Sequence, residues 1–263
     1  TGGTVQFTGS GGSLRLGGAT VTSLGNTFTE GTGSVRYNHS GNQIVLSETY
    51  YNLGIKNAGT KSAGGALDID GTLNIFPSGE LAMGTYDADV ASGNNINIDG
   101  TLSITTGTFT TNGSTSDIDG TLTINGAGIY DADGTFDATG GNVTFTGAGR
   151  LQLGGTVTSL GTFAGPSSTL LFSGSSAQTI NASSVDAGNL IVNNASGVTL
   201  NADVTVNETL TLTSGDITST STNKLSLKSS VSGGSSSSHI SGPVDFIADA
   251  TNECTIPVGN GTD

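Results

Sequence analysis

Apolar and polar residues alternate along most of this chain in runs too short for helices. Leu73-Asn74-Ile75, Leu102-Ser103-Ile104 and Leu122-Thr123-Ile124 each carry an apolar residue at every second position. Side chains of a strand alternate sides, so Leu122 and Ile124 are predicted to point inward and Thr121 and Thr123 outward. Helical periodicity is not evident anywhere. Later runs, Leu190-Ile191-Val192, Val198-Thr199-Leu200, Val204-Thr205-Val206 and Leu210-Thr211-Leu212, arrive every six to eight residues. Between them lie corners containing Asn, Ser, Gly or Asp, which tolerate positive φ or bond their own backbone. The pattern predicts short strands joined by tight turns.

The runs also recur as phrases. Ile69-Asp70-Gly71-Thr72-Leu73-Asn74-Ile75 returns as Ile98-Asp99-Gly100-Thr101-Leu102-Ser103-Ile104 and as Ile118-Asp119-Gly120-Thr121-Leu122-Thr123-Ile124, with a looser copy at Val206–Leu212. A longer repeat lies over the short one at an offset near 137 residues: Leu14-Arg15-Leu16-Gly17-Gly18 matches Leu151-Gln152-Leu153-Gly154-Gly155, Asn52–Ile55 answers Asn189–Val192, and Leu73 answers Leu210. Two related blocks, 2–75 and 140–212, therefore flank a central short-repeat region, 76–139. Three strand faces close a coil of about 20 residues, the spacing from Ile98 to Ile118. Recurrence of this kind is the signature of stacked coils. The expected fold is an all-β, right-handed parallel β-helix or β-solenoid over 1–228, although nothing in the residues themselves sets the hand. Antiparallel β-sandwich repeats are the alternative, but a sandwich needs no fixed interval and normally carries more aromatics. A dozen coils at about 4.8 Å each make a rod on the order of 60 Å long. The segment 229–263, with its serine run and Pro243, is expected to be a turn followed by the start of another unit or a cap.

Composition narrows the function. Gly is 43 of 263 residues and charged residues are 11%, yet the β-branched alternation argues against a disordered Gly/Ser tract. The net charge of −14 and only seven Lys plus Arg, scattered from Arg15 to Lys228, argue against a phosphate-binding patch, so nucleic acid is not an expected partner. No apolar run approaches the roughly 18–20 residues of a membrane-spanning helix, and membrane insertion is not expected. The single cysteine, Cys254, allows no internal disulfide and reads as a small buried apolar residue. An opening without Met and an ending in mid-pattern suggest a piece of a longer protein.

Tyr51-Asn52-Leu53-Gly54-Ile55, the run Val204–Gly215, Ser238-His239-Ile240-Ser241-Gly242-Pro243-Val244 and Ile256-Pro257-Val258-Gly259 resemble very large, repetitive, β-rich surface proteins of the Bacteroidetes. Those proteins are adhesin-like and commonly exported by type IX secretion. The resemblance implies an extracellular, cell-surface adhesin or fibre component. It carries over no ligand site.

Reactive chemistry is sparse. Asp68/Asp70, Asp87/Asp89, Asp117/Asp119 and Asp131/Asp133 are D-x-D pairs whose members face the same way on a strand. Beside a Gly corner such a pair can share Ca²⁺, and Asp131, Asp133, Asp87 and Asp89 are the candidate metal ligands, with calcium the one cofactor considered. No full D-x-D-x-D-G loop is present; the competing reading is that these are solvated turn aspartates that keep a repetitive β-surface soluble. His39 and His239 lie far apart among Ser and Gly, there is no G-x-S-x-G elbow, and Arg36 and Arg150 have no evident carboxylate partner by spacing. Asn-x-Ser/Thr triplets arise by chance in such a composition. The chain is therefore read as a non-enzymatic structural rod, stacking end to end on copies of itself or further repeats. A glycan- or ice-binding surface is the alternative, built on Thr20-Val21-Thr22, Thr108-Phe109-Thr110, Thr121-Leu122-Thr123, Thr156-Val157-Thr158 and Thr209–Thr213; a polysaccharide-active enzyme is a third.

Overall fold

The structure is a computed structural model and describes residues 3–8, 11–247 and 255–259. Cys254 lies outside the described residues. Every regular element described is a strand, and every strand pairing is parallel. The chain winds through about 12 laps of roughly 20 residues, each hydrogen-bonded to the lap before it. This is a parallel β-solenoid, not a pair of face-packed antiparallel sheets.

Each complete lap has three faces. The first face begins with Ser13–Leu16, Ser34–Tyr37 and Asn52–Ile55 and runs through Asn95–Ile98 and Thr115–Ile118 to Val157–Ser159. There Leu160 N–H donates to Asn181 O at 2.8 Å, and the face continues from Gln178–Ile180 to Val258–Gly259. The second face runs from Gln43–Val45 through Thr101–Ile104 and Thr121–Ile124 to Val244–Phe246. The third runs from Thr49–Tyr50 through Thr108–Thr110 and Ile129–Ala132 to Ser230–Gly233. The laps continue past residue 228: Ser230–Gly233 pairs with the strand of the preceding lap, as do Ile240–Ser241 and Val244–Phe246.

Alternation explains the interior. Leu81, Leu102, Leu122, Val143 and Phe163 occupy successive rungs of the second face and are all buried. Each such side chain contributes about 1.5–3 kcal/mol by leaving water. Phe109 and Tyr130 lie on adjacent rungs of the third face, rings stacked 5.3 Å apart and 3° from parallel. The corners explain the glycines of the repeated phrase. A Cβ on Gly120 would lie 2.1 Å from Gly100 O, and one on Gly100 would lie 2.2 Å from Gly79 O. Only glycine lets one corner sit so closely on the last.

The repeats do not simply stack on themselves. The Ile98 and Ile118 copies of the short phrase both turn from the first face to the second, and Leu102 pairs with Leu122 and Ile104 with Ile124. The Ile69 copy turns from the third face to the first, and the Val206 copy from the second to the third. The long repeat shows the same displacement. Ser13–Leu16 lies on the first face, whereas its counterpart Arg150–Leu153 lies on the third. Local structure is nonetheless retained: Val5 pairs with Phe28 as Val143 pairs with Phe163, and Phe7 meets Phe28 as Phe145 meets Phe163. The offset of about 137 residues is close to six and two-thirds laps, so the second block is the first displaced by one face.

Candidate functional site

Outward positions of the third face carry a run of acidic side chains. Thr49, Asp68, Asp89, Thr110 and Asp131 occupy successive rungs of one ladder. Glu48, Asp68, Asp87 and Asp89 line an open groove of about 590 Å³ there. Rungs lie about 4.8 Å apart, so Asp68 and Asp89 are neighbouring like charges. At the corner beside the groove, burial and then the charges of Asp68, Glu30 and Asp89 push the Asp70 carboxyl above its usual range.

The four aspartates expected to hold calcium share this face but do not converge. Asp87 Oδ1 accepts the backbone N–H of Thr108 at 2.7 Å, and Asp89 Oδ1 accepts Asn112 Nδ2. Asp131 stands two rungs beyond Asp89, with Thr110 between. Its Oδ1 is buried without a hydrogen-bond partner. Burial, then Asp133, raises the Asp131 pKa, while Arg150 and a hydrogen bond from Gln152 pull it back. Asp133 is exposed, its side chain lying against the backbone of Gly154. Among the described residues no group of three or more His, Cys, Asp or Glu side chains is placed to hold a metal ion.

Many corner carboxylates and amides instead tie one lap to the next. Asn42 and Asn52 accept the backbone N–H groups of Thr60 and Thr72 at 3.0 and 2.9 Å. Asp203 and Asp216 do the same for Lys224 and His239 at 2.9 and 3.0 Å. Each bond satisfies a donor at the start of a strand that the ladder leaves unpaired. The abundance of Asp and Asn at corners thus has a structural cause.

The two histidines are also separate. His39 Nδ1 accepts the N–H of Gly41 at 3.0 Å. His239 is buried, with Nδ1 3.1 Å from Asp216 Oδ1 and Nε2 without a partner. Its ring lies against Gly259, where a Cβ would come within 2.3 Å of it. Among the described residues no hydroxyl bonds to Nε2, so His239 and the nearby described serines do not form a nucleophile–base pair.

Sequence reasoning missed a set of polar side chains inside the solenoid. Lys61 is fully buried; its Nζ donates to the carbonyls of Ala58 and Gly59 at 2.8 Å and of Asn57 at 3.4 Å. Three donors meet three acceptors, and burial lowers the ammonium pKa. One rung earlier, Gln43 Nε2 donates to Leu16 O and Gly18 O, while its Oε1 accepts the N–H of His39. Gln178 repeats this bonding: its Nε2 donates to Leu153 O and Gly155 O and its Oε1 accepts the N–H of Gly174. Tyr37 and Tyr50 close a ring of bonds in which Tyr50 donates to Leu46 O, Leu46 N–H donates to Tyr37, and Tyr37 donates to Tyr50. Burial raises both phenol pKa values. The parity of Gln43 and Lys61 within their strands was the available signal, since alternation places both on the inner side.

The five Thr-containing segments expected to form one array are dispersed. Thr108–Thr110 and Thr209–Ser214 belong to the third face, Thr121–Ile124 to the second and Val157–Ser159 to the first, and Thr20, Val21 and Thr22 lie outside any strand. Two outward rows do align on the second face. Thr101, Thr121 and Asn142 form one, and Ser103, Thr123 and Thr144 the other, with 3.2 Å between the hydroxyls of Thr123 and Thr144.

Compared with protein-family models, with curated proteins and with solved structures, the chain has no match.

Proposed function

We propose that this chain is a non-catalytic structural rod of an extracellular adhesive or fibrous assembly at the cell surface, exported by type IX secretion and continuing end to end with further repeats or copies. The observation that supports the reading is the continuous core of about 12 laps beneath a polar, mostly acidic exterior. A solenoid buries its core by stacking, and an end lap offers unpaired strand backbone to the next unit. Carboxylates engaged as ties between laps favour a load-carrying role over chemistry. Negative-stain electron microscopy of the purified chain tests the reading. Rods on the order of 60 Å, alone or joined axially into filaments, are expected at about 4.8 Å per lap; compact globules would overturn it.

The paired rows of Thr101, Thr121, Asn142 and Ser103, Thr123, Thr144 favour a second reading, a flat hydroxyl-rich surface that binds glycan or ice. Absence of thermal hysteresis would remove the ice version, and a glycan array without signal would remove the other.

A further inference from the structure

The first face carries a charge pattern that its fold alone does not explain. One outward row opens with Arg15 and Arg36 on adjacent rungs. It continues through Gly54, Asn74 and Asn97, where Asn97 Nδ2 donates to Asn74 Oδ1 at 2.8 Å. It closes with Asp117 and Asp137. Like charges therefore stack at both ends, an arrangement that is unfavourable within one chain. Burial, followed by Asp119, Asp137 and Asp99, raises the Asp117 pKa, which records that crowding. Neither of the two ion pairs among the described residues involves Arg15, Arg36 or Lys56.

The row is antisymmetric about Asn74: two cations, three neutral residues, two anions. A neighbouring outward position extends the pattern, with Lys56 one rung before Phe76 and Asp99 one rung after it. Backbone bonds from Phe76 to Ile55 and from Asp99 to Ile75 fix that order. Phe76 is half-buried, with Lys56 Nζ 5.3 Å and the Arg36 guanidinium 5.9 Å from its ring centre.

We infer that this face is a docking surface for a second copy of the same chain, packed side by side and antiparallel about a two-fold axis that passes through the Asn74 rung along the strand direction. That operation sets Arg15 opposite Asp137 of the other copy, Arg36 opposite Asp117 and Lys56 opposite Asp99, and brings the two Phe76 rings together at the centre. Each charge contact occurs twice and the Phe76 contact, on the axis, once, as an isologous interface requires. Side-by-side packing in the parallel sense instead places arginine on arginine and aspartate on aspartate. Seven rungs at about 4.8 Å and a four-residue strand at about 3.3 Å per residue give a patch of roughly 400 Å² per copy, about half of what each partner buries in a standard specific interface. Association is therefore weak and relies on charge for orientation, which makes it sensitive to salt. This surface is independent of end-to-end stacking, which produces an open series of sizes, whereas face pairing stops at two.

The test is sedimentation velocity on the 263-residue chain. A dimer is expected at about 100 µM protein in 20 mM salt, with association at least about tenfold weaker in 0.5 M salt. Arg36→Asp and Asp117→Arg should each abolish the dimer, because each brings two like charges together twice. An equimolar mixture of the two variants should dimerise again, because both contacts then join Asp to Arg. Arg15→Asp and Asp137→Arg form a second such pair should either first variant fail to fold by circular dichroism. A wild-type chain that stays monomeric at low salt, a dimer that survives the single reversals, or mixtures of folded variants that stay monomeric would overturn the proposal.

Discussion

The first block, 2–75, and the second, 140–212, solve the same corner in the same way and then fill their interiors differently. Gln43 and Gln178 make equivalent bonds to the carbonyls of a Leu-Gly-Gly corner in the preceding lap. One rung further, Gln43 is followed by Lys61 and Gln178 by Val198. Tyr37 in the first block stands where the second has Phe172, and Tyr50 where it has Ala187. The backbone path is retained while a polar interior gives way to an apolar one. Backbone geometry is thus dictated by corner glycines and clamp glutamines, and the rest of the interior can change as long as every buried polar atom keeps its partners.

Exchanging residues between the blocks probes that division. Val198→Lys should have the largest effect, about 4 kcal/mol or more in urea unfolding, because Asn194 O and Gly197 O of the corner before it already accept the N–H groups of Gly197 and Gln178 and leave a buried ammonium short of acceptors. A loss below about 1 kcal/mol would mean that the cage of Lys61 is not special. Gln43→Leu and Gln178→Leu should each cost about 2–4 kcal/mol, since the bonds to two carbonyls and one backbone N–H are lost in either block, and at Gln178 the bond from Asn194 Nδ2 as well. A large cost at one site and none at the other would break the equivalence of the clamps. Lys61→Val, which installs the residue of the second block, should cost about 2 kcal/mol. The loss of three carbonyl bonds is offset in part by removing a buried charge. A calorimetric midpoint at or above wild type would show that removing the charge dominates.

The smallest effect is on pH dependence, and it comes from outside the second block. Asp70, Asp117 and Asp131 all have raised pKa values through burial and neighbouring carboxylates. Their folded forms hold protons more tightly than the unfolded chain does. The stability this contributes is fully present below the ordinary carboxylate range and is lost as pH rises through the raised values. A slight rise in urea midpoint is expected on acidifying from pH 7 towards 5, and Asp117→Asn should reduce it. A pH-independent midpoint would remove the contribution.

Lap length, inward Leu122 and Ile124, and the need for three faces were legible because alternation and a spacing of 20 residues are written directly into the chain. The displacement between blocks was not. Sequence comparison aligns Leu14 with Leu151 whichever face each occupies, and only hydrogen-bond register reveals the phase. The D-x-D pairs looked like ligands because their members share a side, yet binding depends on which rungs they occupy. Asp87 and Asp89 are engaged by Thr108 and Asn112 of the next lap, a relation spread over more than 20 residues of sequence. The charge row of the first face was hidden for the same reason: Arg15 and Asp137 become members of one series only after the chain is wound.

Because the repeated phrase turns all three bends, as Asp-Gly-Thr at two of them and as Asn207-Glu208-Thr209 at the third, a block of this kind can be copied in units of a face without breaking the shaft. Whatever decorates the original then reappears a third of a turn around the axis. A longer array of such blocks would wear its surface groups like the thread of a screw, offering the same binding group in three directions rather than along one stripe.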